Sequence, residues 1–424
     1  MRILLIGNGG REHAFAYMLA KSPLCEKLFI APGNPGTEKH GENVPIAPVD
    51  FEAISGFVLK NKISMVVVGP EGPLVKGIYD YFQDNSALKS IAVIGPSKAG
   101  AQLEGSKDFA KQFMTKYNIP TANYKSFTPD QLHEATAYLD EQTIPFVIKA
   151  DGLAAGKGVV ISKNPYEAKQ VLYDMLQGKF GDAGTKVVIE EFLQGIEMSC
   201  FVLTDGTHYK ILPTAKDYKR IGEGDTGPNT GGMGAVSPVP FADEVLMKKI
   251  EKQIIQPTLE GLRNEKIIYN GFLYIGLMVV DAEPFVIEYN CRMGDPETQA
   301  VLPRIKCDFL ELLASVHEGN LEEKIIEVLP YSAVAIVLAS KGYPENYMKG
   351  KLISNFLQAT ECVVFHAGTR KRINGDFETS GGRVLAITSF ARNLNDARKL
   401  AIRNAEVIDF EGKYFRKDIG KDLM

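Results

Sequence analysis

Long hydrophobic runs are missing from this chain. None reaches the ~18 consecutive apolar residues that a membrane-spanning helix needs, so no membrane partner is expected. Cysteine is scarce: five residues, at 25, 200, 291, 307 and 362, lie far apart with no C-x-x-C pair. That pattern fits reduced thiols in the cytoplasm better than a disulfide framework. The six histidines show no H-x₃-H spacing, so no zinc site is expected. Nor is there a surplus of positive charge, since 48 Lys and Arg face 52 Asp and Glu for a net −4. Nucleic acid is therefore not expected as a partner. The opening MRILLIG has the pattern of a strand, not of a signal peptide. What remains is a globular composition, 45% apolar and 24% charged, over 424 residues, enough for two to four domains.

The first hundred residues alternate β-type runs (Ile3–Ile6, Leu28–Ile30, Met65–Val68, Ile91–Ile94) with helical patterns starting near Glu12, Phe51 and Leu74. Such alternation predicts an open parallel sheet with helices on both faces. Each strand runs into a glycine or proline loop (GNGGRE, APGNPGT, GPEGPL, GPSKAG), at the sheet edge where open α/β folds bind ligands. A boundary is expected near 104. There Ser106 can cap a helix whose Phe109, Ala110, Phe113, Met114 and Tyr117 share one face. Alternating strands and helices over 129–204 suggest a small α+β lobe, and strands return at 272–280 and 285–289. The last hundred residues mix strands (333–339, 361–365, 383–388) with a helix near 394–405. Residues 216–234, KDYKRIGEGDTGPNTGGMG, hold six glycines and a proline, too many for a regular element; a long functional loop is expected there, mobile until substrates order it.

Two glycine motifs invite familiar readings that fail. GNGGRE has Glu12 where a dinucleotide fingerprint needs its third glycine, and the second strand ends in Ala31-Pro32-Gly33, without an acid for a ribose. A nicotinamide or flavin site is thus disfavoured, though free amides at a helix start suit a phosphate. DGLAAGKGV (151–159) has the wrong glycine spacing for a P-loop and leads into a β-run. It is a glycine hairpin between strands with Lys157 at its tip and Lys149 at its base, suited to folding over a triphosphate.

The densest chemistry lies in IEYNCRMGDPETQ, residues 287–299. A β-run delivers Glu288, Tyr289 and Asn290, and Arg292, Asp295 and Glu297 follow within seven residues. Glu288 and Asn290 fall on one side of a strand, and acids clustered this tightly sit either on a solvated loop or around something positive. Together with Ser106-Lys107, Lys149, EEFLQGIE (190–197), PGNPGT and GDTGPNTGGMGA, this stretch resembles the phosphoribosylamine–glycine ligase family of ATP-grasp enzymes. The likeness extends over nearly the whole chain.

That resemblance implies three parts: an N-terminal α/β domain at 1–104 for phosphoribosylamine, an ATP-grasp domain at 105–325 with a small lobe near 122–192, and a mixed C-terminal domain at 326–424 packed on the first. It implies ligation of glycine to 5-phosphoribosylamine through a glycyl phosphate, driven by ATP with Mg²⁺ or Mn²⁺, in purine biosynthesis. Lys107, Lys149, Gly156 and Lys157 would contact phosphates; Glu190, Glu191, Phe192 and Leu193 would frame adenine, and Glu197 would take the ribose. Glu288 and Asn290 would hold the metal. Many ATP-grasp enzymes add a carboxylate about twelve residues before this glutamate, where this chain has Gly276. Asp217 would meet glycine's ammonium and Arg292 its carboxylate or the transferred phosphoryl, with Lys157 also near the reacting groups. Gly9, Gly10, Gly33, Asn34, Gly36, Thr37 and Glu71 would hold phosphoribosylamine. A monomer or weak dimer is implied, with transient contact to neighbouring purine-pathway enzymes. If Glu288 sits among acids alone, removing its charge should leave the unliganded protein as stable or more so. Another ATP-grasp carboxylate–amine ligase or a purine-pathway carboxylase would share the ATP site; the GDTGPNTGGMG stretch argues against both.

Overall fold

Short β-branched runs bounded by glycine turns build the first sheet. Five parallel strands lie in the order Glu42–Asn43, Lys27–Pro32, Arg2–Gly7, Met65–Val68, Ala92–Ile94. Ile3 to Ile6 are wholly buried, as strands covered by helices on both faces must be. Strand order reverses between Arg2–Gly7 and its neighbour Met65–Val68, so the GNGG and GPEG loops flank the crevice of the switch point. The computed structural model describes residues 1–153, 158–178 and 186–424; Gly156 and Lys157 lie outside them. The helix expected from Leu74 is two short ones, Glu71–Val75 and Ile78–Asp84, parted by Gly77 at φ +88°.

Residues 107–116 form the expected helix. Ser106 Oγ accepts from Phe109 N at 3.0 Å, while Ala110, Phe113 and Met114 are buried. A four-stranded antiparallel sheet follows, in the order Tyr124–Phe127, Val187–Glu190, Phe146–Ala150, Val159–Ser162. Helices Leu132–Glu141 and Pro165–Leu176 close one apolar core around Phe127, Leu139, Ile148, Leu172 and Ile189. Asn164 caps the second helix through Tyr166 N and Glu167 N, with Pro165 preset for the first turn.

The largest sheet runs Glu283–Asn290, Gly271–Val280, Ile196–Thr204, Tyr209–Asp217, Gly234–Ser237, Ser332–Ser340, Arg383–Ala391, Cys362–His366, antiparallel throughout. It joins the 105–325 part to the 326–424 part through the pairing of Gly234–Ser237 with Ser332–Ser340. Strand Cys362–His366 also meets the first helix, Gly10–Leu19: His366 N donates to His13 Nδ1 at 2.7 Å. The glycine-rich run 216–234 is more regular than its composition suggests. It forms a small hairpin, Arg220–Gly222 with Thr226–Asn229, and then a full strand, Gly234–Ser237. Its glycines supply the bends, with φ of +66°, +77° and +110° at Gly224, Gly227 and Gly232.

Candidate active site

Three lysines converge where the small sheet meets the large one. Lys149 ends its strand almost fully buried, with Nζ 2.9 Å from Glu190 Oε2 and 3.1 Å from the carbonyl of Ile287. That carbonyl is free because the signature strand bulges there: Val286 pairs with Leu277 and Glu288 with Gly276, leaving Ile287 extra. Lys111, one turn into the helix and 2% exposed, reaches the same Glu190 oxygen at 3.1 Å, and Thr121 Oγ1 at 2.8 Å. Burial pulls its ammonium down to about 8, although Glu190 opposes the shift. Lys107 stands at the helix start with Nζ 3.2 Å from Gly152 O, and burial followed by Lys149 lowers it too. One carboxylate thus faces two buried ammoniums with a third nearby, an excess of positive charge suited to a polyanion. Among the described residues, Glu190 Oε1 has no hydrogen-bond partner and is buried.

Opposite the lysines lies a carboxylate face. Glu197 and Glu288 come from different strands of the large sheet, and Lys219 Nζ sits between them, 3.0 Å from Glu197 Oε2 and 3.5 Å from Glu288 Oε1. Gly276 is directly across from Glu288, and a Cβ there would come within 2.9 Å of Glu288 Cγ. The glycine therefore clears room for the Glu288 stem. Burial would raise the Glu288 carboxyl, but Lys219, Lys149, Lys107 and Arg292 together hold it below its ordinary range. Asp217, two residues before Lys219, goes the other way. Burial pushes it well up; Lys219 opposes this, and Glu297, Glu197 and Glu288 add to it. Glu297, 4% exposed at the start of a short helix, is likewise raised by burial and accepts from Ser199 Oγ at 3.4 Å.

No group of three or more His, Cys, Asp or Glu able to hold a metal ion occurs among the described residues. Glu288 and the Asn290 carboxamide nevertheless present hard oxygen donors side by side. Such a pair fits Mg²⁺ or Mn²⁺ whose other ligands are phosphate and water rather than an all-protein cage. The Lys219 ammonium already rests against one of them.

Arg292 joins this face to the first sheet. Its Nε donates to Glu71 Oε2 at 3.0 Å, and Nη2 to Glu104 Oε1 at 2.6 Å and Asn290 Oδ1 at 3.3 Å, while Nη1 reaches Met293 O at 3.1 Å. Burial alone would raise Glu71, yet Arg292 brings it down to about 2. Glu104 is deeper; burial lifts it despite Arg292, and it also accepts from Cys291 N at 2.8 Å. In the GNGG loop, Glu12 turns its carboxylate back to accept from Gly9 N at 2.6 Å, so that amide is not free as the sequence suggested. Gly10 packs against Gln299. The Asn34 side chain is equally occupied. Its Nδ2 donates to Asn8 O and His366 O, both at 2.9 Å, and its Oδ1 accepts from Gly36 N at 2.8 Å. Thr37 Oγ1 donates to Asn43 Oδ1 at 2.6 Å, and Gly36 lies flat against the His13 ring. These side chains shape the PGNPGT loop, and the Gly33 amide is likewise occupied, donating to Gly7 O at 3.1 Å. Phe192 and Leu193 are half-buried after the small sheet, and Glu191 is exposed, holding Asn123 Nδ2 at 2.7 Å.

Family models describing phosphoribosylglycinamide synthetase match end to end: the N domain over residues 1–104, the ATP-grasp (A) domain over 105–298, and the C domain over 333–422. The chain belongs to the phosphoribosylglycinamide synthetase family. It is 46% identical over 426 residues to the phosphoribosylamine–glycine ligase of Yersinia pestis, covering 99% of this chain and 98% of that protein. A phosphoribosylamine–glycine ligase from Caldanaerobacter subterraneus subsp. tengcongensis is 46% identical over 420 residues, 99% of each. The crystal structure of phosphoribosylamine–glycine ligase from Thermotoga maritima superposes with a TM-score of 0.86 at 37% identity, covering 99% of this chain and 100% of that one. The biotin carboxylase domain of Hydrogenobacter thermophilus 2-oxoglutarate carboxylase, at 15% identity and TM-score 0.70, shares the fold alone.

The structure also brings Lys219, Lys111, Glu104 and Glu297 to this candidate site, residues to which the sequence reading gave no role. Lys219 had a signal, its i, i+2 spacing from Asp217. Lys111 and Glu104 had none, since their partners lie 79 and 188 positions away.

Proposed function

We propose that this protein ligates glycine to 5-phosphoribosylamine with ATP, forming glycinamide ribonucleotide, ADP and phosphate through glycyl phosphate. The observation that carries this reading is the two-sided crevice, with Lys107, Lys111 and Lys149 on one wall and Glu197, Glu288 and Asn290 on the other, in a chain of this family. A carboxylate is a poor electrophile at neutral pH; phosphorylation gives it a leaving group, and that transfer needs positioning and charge neutralisation more than covalent catalysis. Lys149 and Lys107 bind the nucleotide phosphates and Glu197 the ribose. Glu190 Oε1, lacking a partner among the described residues, accepts from the adenine amino group while the backbone of 190–193 frames the ring. Glu288 and Asn290 would hold a divalent cation, which would supply charge neutralisation for phosphoryl transfer. Asp217, once ionised, receives glycine's ammonium. Arg292, fixed by Glu71 and Glu104, turns its remaining Nη1 proton to an anionic oxygen, and the GNGG and PGNPGT loops meet the ribosyl phosphate.

The test is ADP release from Mg²⁺-ATP, glycine and freshly made phosphoribosylamine, each omitted in turn. Sustained release that requires all of them is expected. Release indifferent to the ribosyl amine, or equal with alanine, would refute the reading.

A further inference from the structure

Strand Tyr209–Asp217 runs on into Tyr218-Lys219, and the stretch Lys216-Asp217-Tyr218-Lys219 has two functional faces. Asp217 and Lys219 look into the crevice among Glu197, Glu288 and Glu297. Lys216 and Tyr218 point the other way, as alternate residues in extended backbone must. Both end on one carboxylate, Asp422: Lys216 Nζ pairs with Oδ2, and Tyr218 OH donates to Oδ1 at 2.6 Å. The same C-terminal segment grips the hairpin beyond. Arg416, 1% exposed, donates from Nη1 to Arg220 O at 3.0 Å and to Asp225 Oδ1 at 2.7 Å. It is locked by Asp418, with Nε to Oδ1 at 2.8 Å and Nη2 to Oδ2 at 2.7 Å. Asp418 Oδ2 also accepts from Gly224 N at 2.8 Å, Glu223 accepts from Lys417 N at 2.9 Å, and Tyr414 OH donates to Ile221 O at 2.8 Å.

We propose that Arg416 and Asp422 are positioning residues for the ligation: they hold segment 216–229 from behind so that Asp217 stands in register with the acceptor half of the crevice. Neither touches the crevice. A hairpin this rich in glycine has many conformations to lose, so its order must come from outside it. Among the described residues, the charges that hold it from behind are those of 414–422. Because Lys107, Lys111 and Lys149 are anchored elsewhere, the strap governs glycine capture rather than nucleotide binding. The proposal rests on the assignment of Asp217 to glycine's ammonium.

Three variants test it: Asp422→Asn, which keeps size and removes charge, Arg416→Met, and Arg416→Lys as the conservative rescue. A displacement of about 1 Å can lower a rate some 10²-fold, so kcat/KM for glycine should fall at least ~10-fold in Asp422→Asn and Arg416→Met. Arg416→Lys should recover part of the loss. Titration with Mg²⁺-ATP alone should give an affinity within about threefold of the parent, and amide exchange in 218–230 should quicken. Were Arg416→Met to fail to fold, Asp422→Asn and Tyr218→Phe carry the same test. Faster exchange with an unchanged KM for glycine would overturn the proposal, as would nucleotide affinity falling in parallel with kcat/KM. Parent enzyme that releases ADP without need of glycine would instead sink the proposed function, and the exchange data would still decide whether 414–422 orders the hairpin.

Discussion

Replacing Glu288 by glutamine keeps shape and hydrogen bonding but removes one unit of charge from the proposed metal site. In the unliganded protein the charge lost is one that Lys219 faces at 3.5 Å while holding Glu197 at 3.0 Å. With the Glu288 side chain 39% exposed, the pair is worth about 0–1 kcal/mol, as solvent-screened ion pairs are. The sign is set by the depressed carboxyl: its contribution is present above the ordinary glutamate range and is lost as pH falls through the lowered value. At pH 7 the variant therefore loses a little stability, a drop in Tm of less than about 2 °C for a chain of this size. Activity responds on another scale. Removing one preorganised charge from a phosphoryl-transfer site lowers kcat about 10²–10³-fold, or roughly 3–4 kcal/mol of barrier. The Mg²⁺ concentration for half-maximal rate should rise as well. Melting curves without ligand, set beside a Mg²⁺ titration of ADP release, separate the two effects. A strongly destabilised variant with normal magnesium dependence would show Glu288 to be a structural ion-pair partner and refute the metal assignment.

Glycine capture should improve as pH rises. The raised Asp217 must ionise to receive an ammonium, so KM for glycine is expected to fall between pH 6.5 and 8.5 and to lose that dependence in Asp217→Asn; a flat parent profile would count against the role. His13 and His366 are both neutral by burial, His366 brought down to about 3, so their contribution to stability is full above ~6.5 and is lost as pH falls. Urea midpoints should drop between pH 7 and 5 by an amount equivalent to ~2 kcal/mol for His366, with His13 acting in the same direction, and His366→Phe should flatten that slope. Gly36→Ala would drive a methyl into the His13 ring and within 2.8 Å of His366 Cβ, costing about 1–3 kcal/mol in a thermal melt; an unchanged Tm would show that the two sheets do not meet tightly there.

Much of this fold was legible because its strands are strongly patterned and its caps are local. Ser106, the four N-terminal strands and the signature strand could all be read from spacing. Local pattern failed where glycine is supported from elsewhere, as in the 220–229 hairpin, whose partners stand some 190 positions on. It failed also for Lys219. From sequence, Glu288 stood among acids, and loss of its charge was expected to relieve repulsion; the structure sets an ammonium there, and the expected sign reverses. Asn34 and Thr37 were legible as special but not as internally satisfied, since only the fold shows where their hydrogen bonds end. The third-carboxylate position at Gly276 has a similar explanation: the residue across from it needs the space.

The long sheet makes the C-terminal part of this protein something other than a detachable module. Strands Gly234–Ser237 and Ser332–Ser340 bond to each other through their backbones, with Ala335 and Val334 fully buried at the seam. Separating the chain between them, whether by protease or by expressing the halves alone, would expose two raw strand edges lined with unpaired amides and apolar side chains. Edges of that kind recruit further strands. Halves made separately should therefore be sticky, and should reassociate with each other through that ladder when mixed before they aggregate.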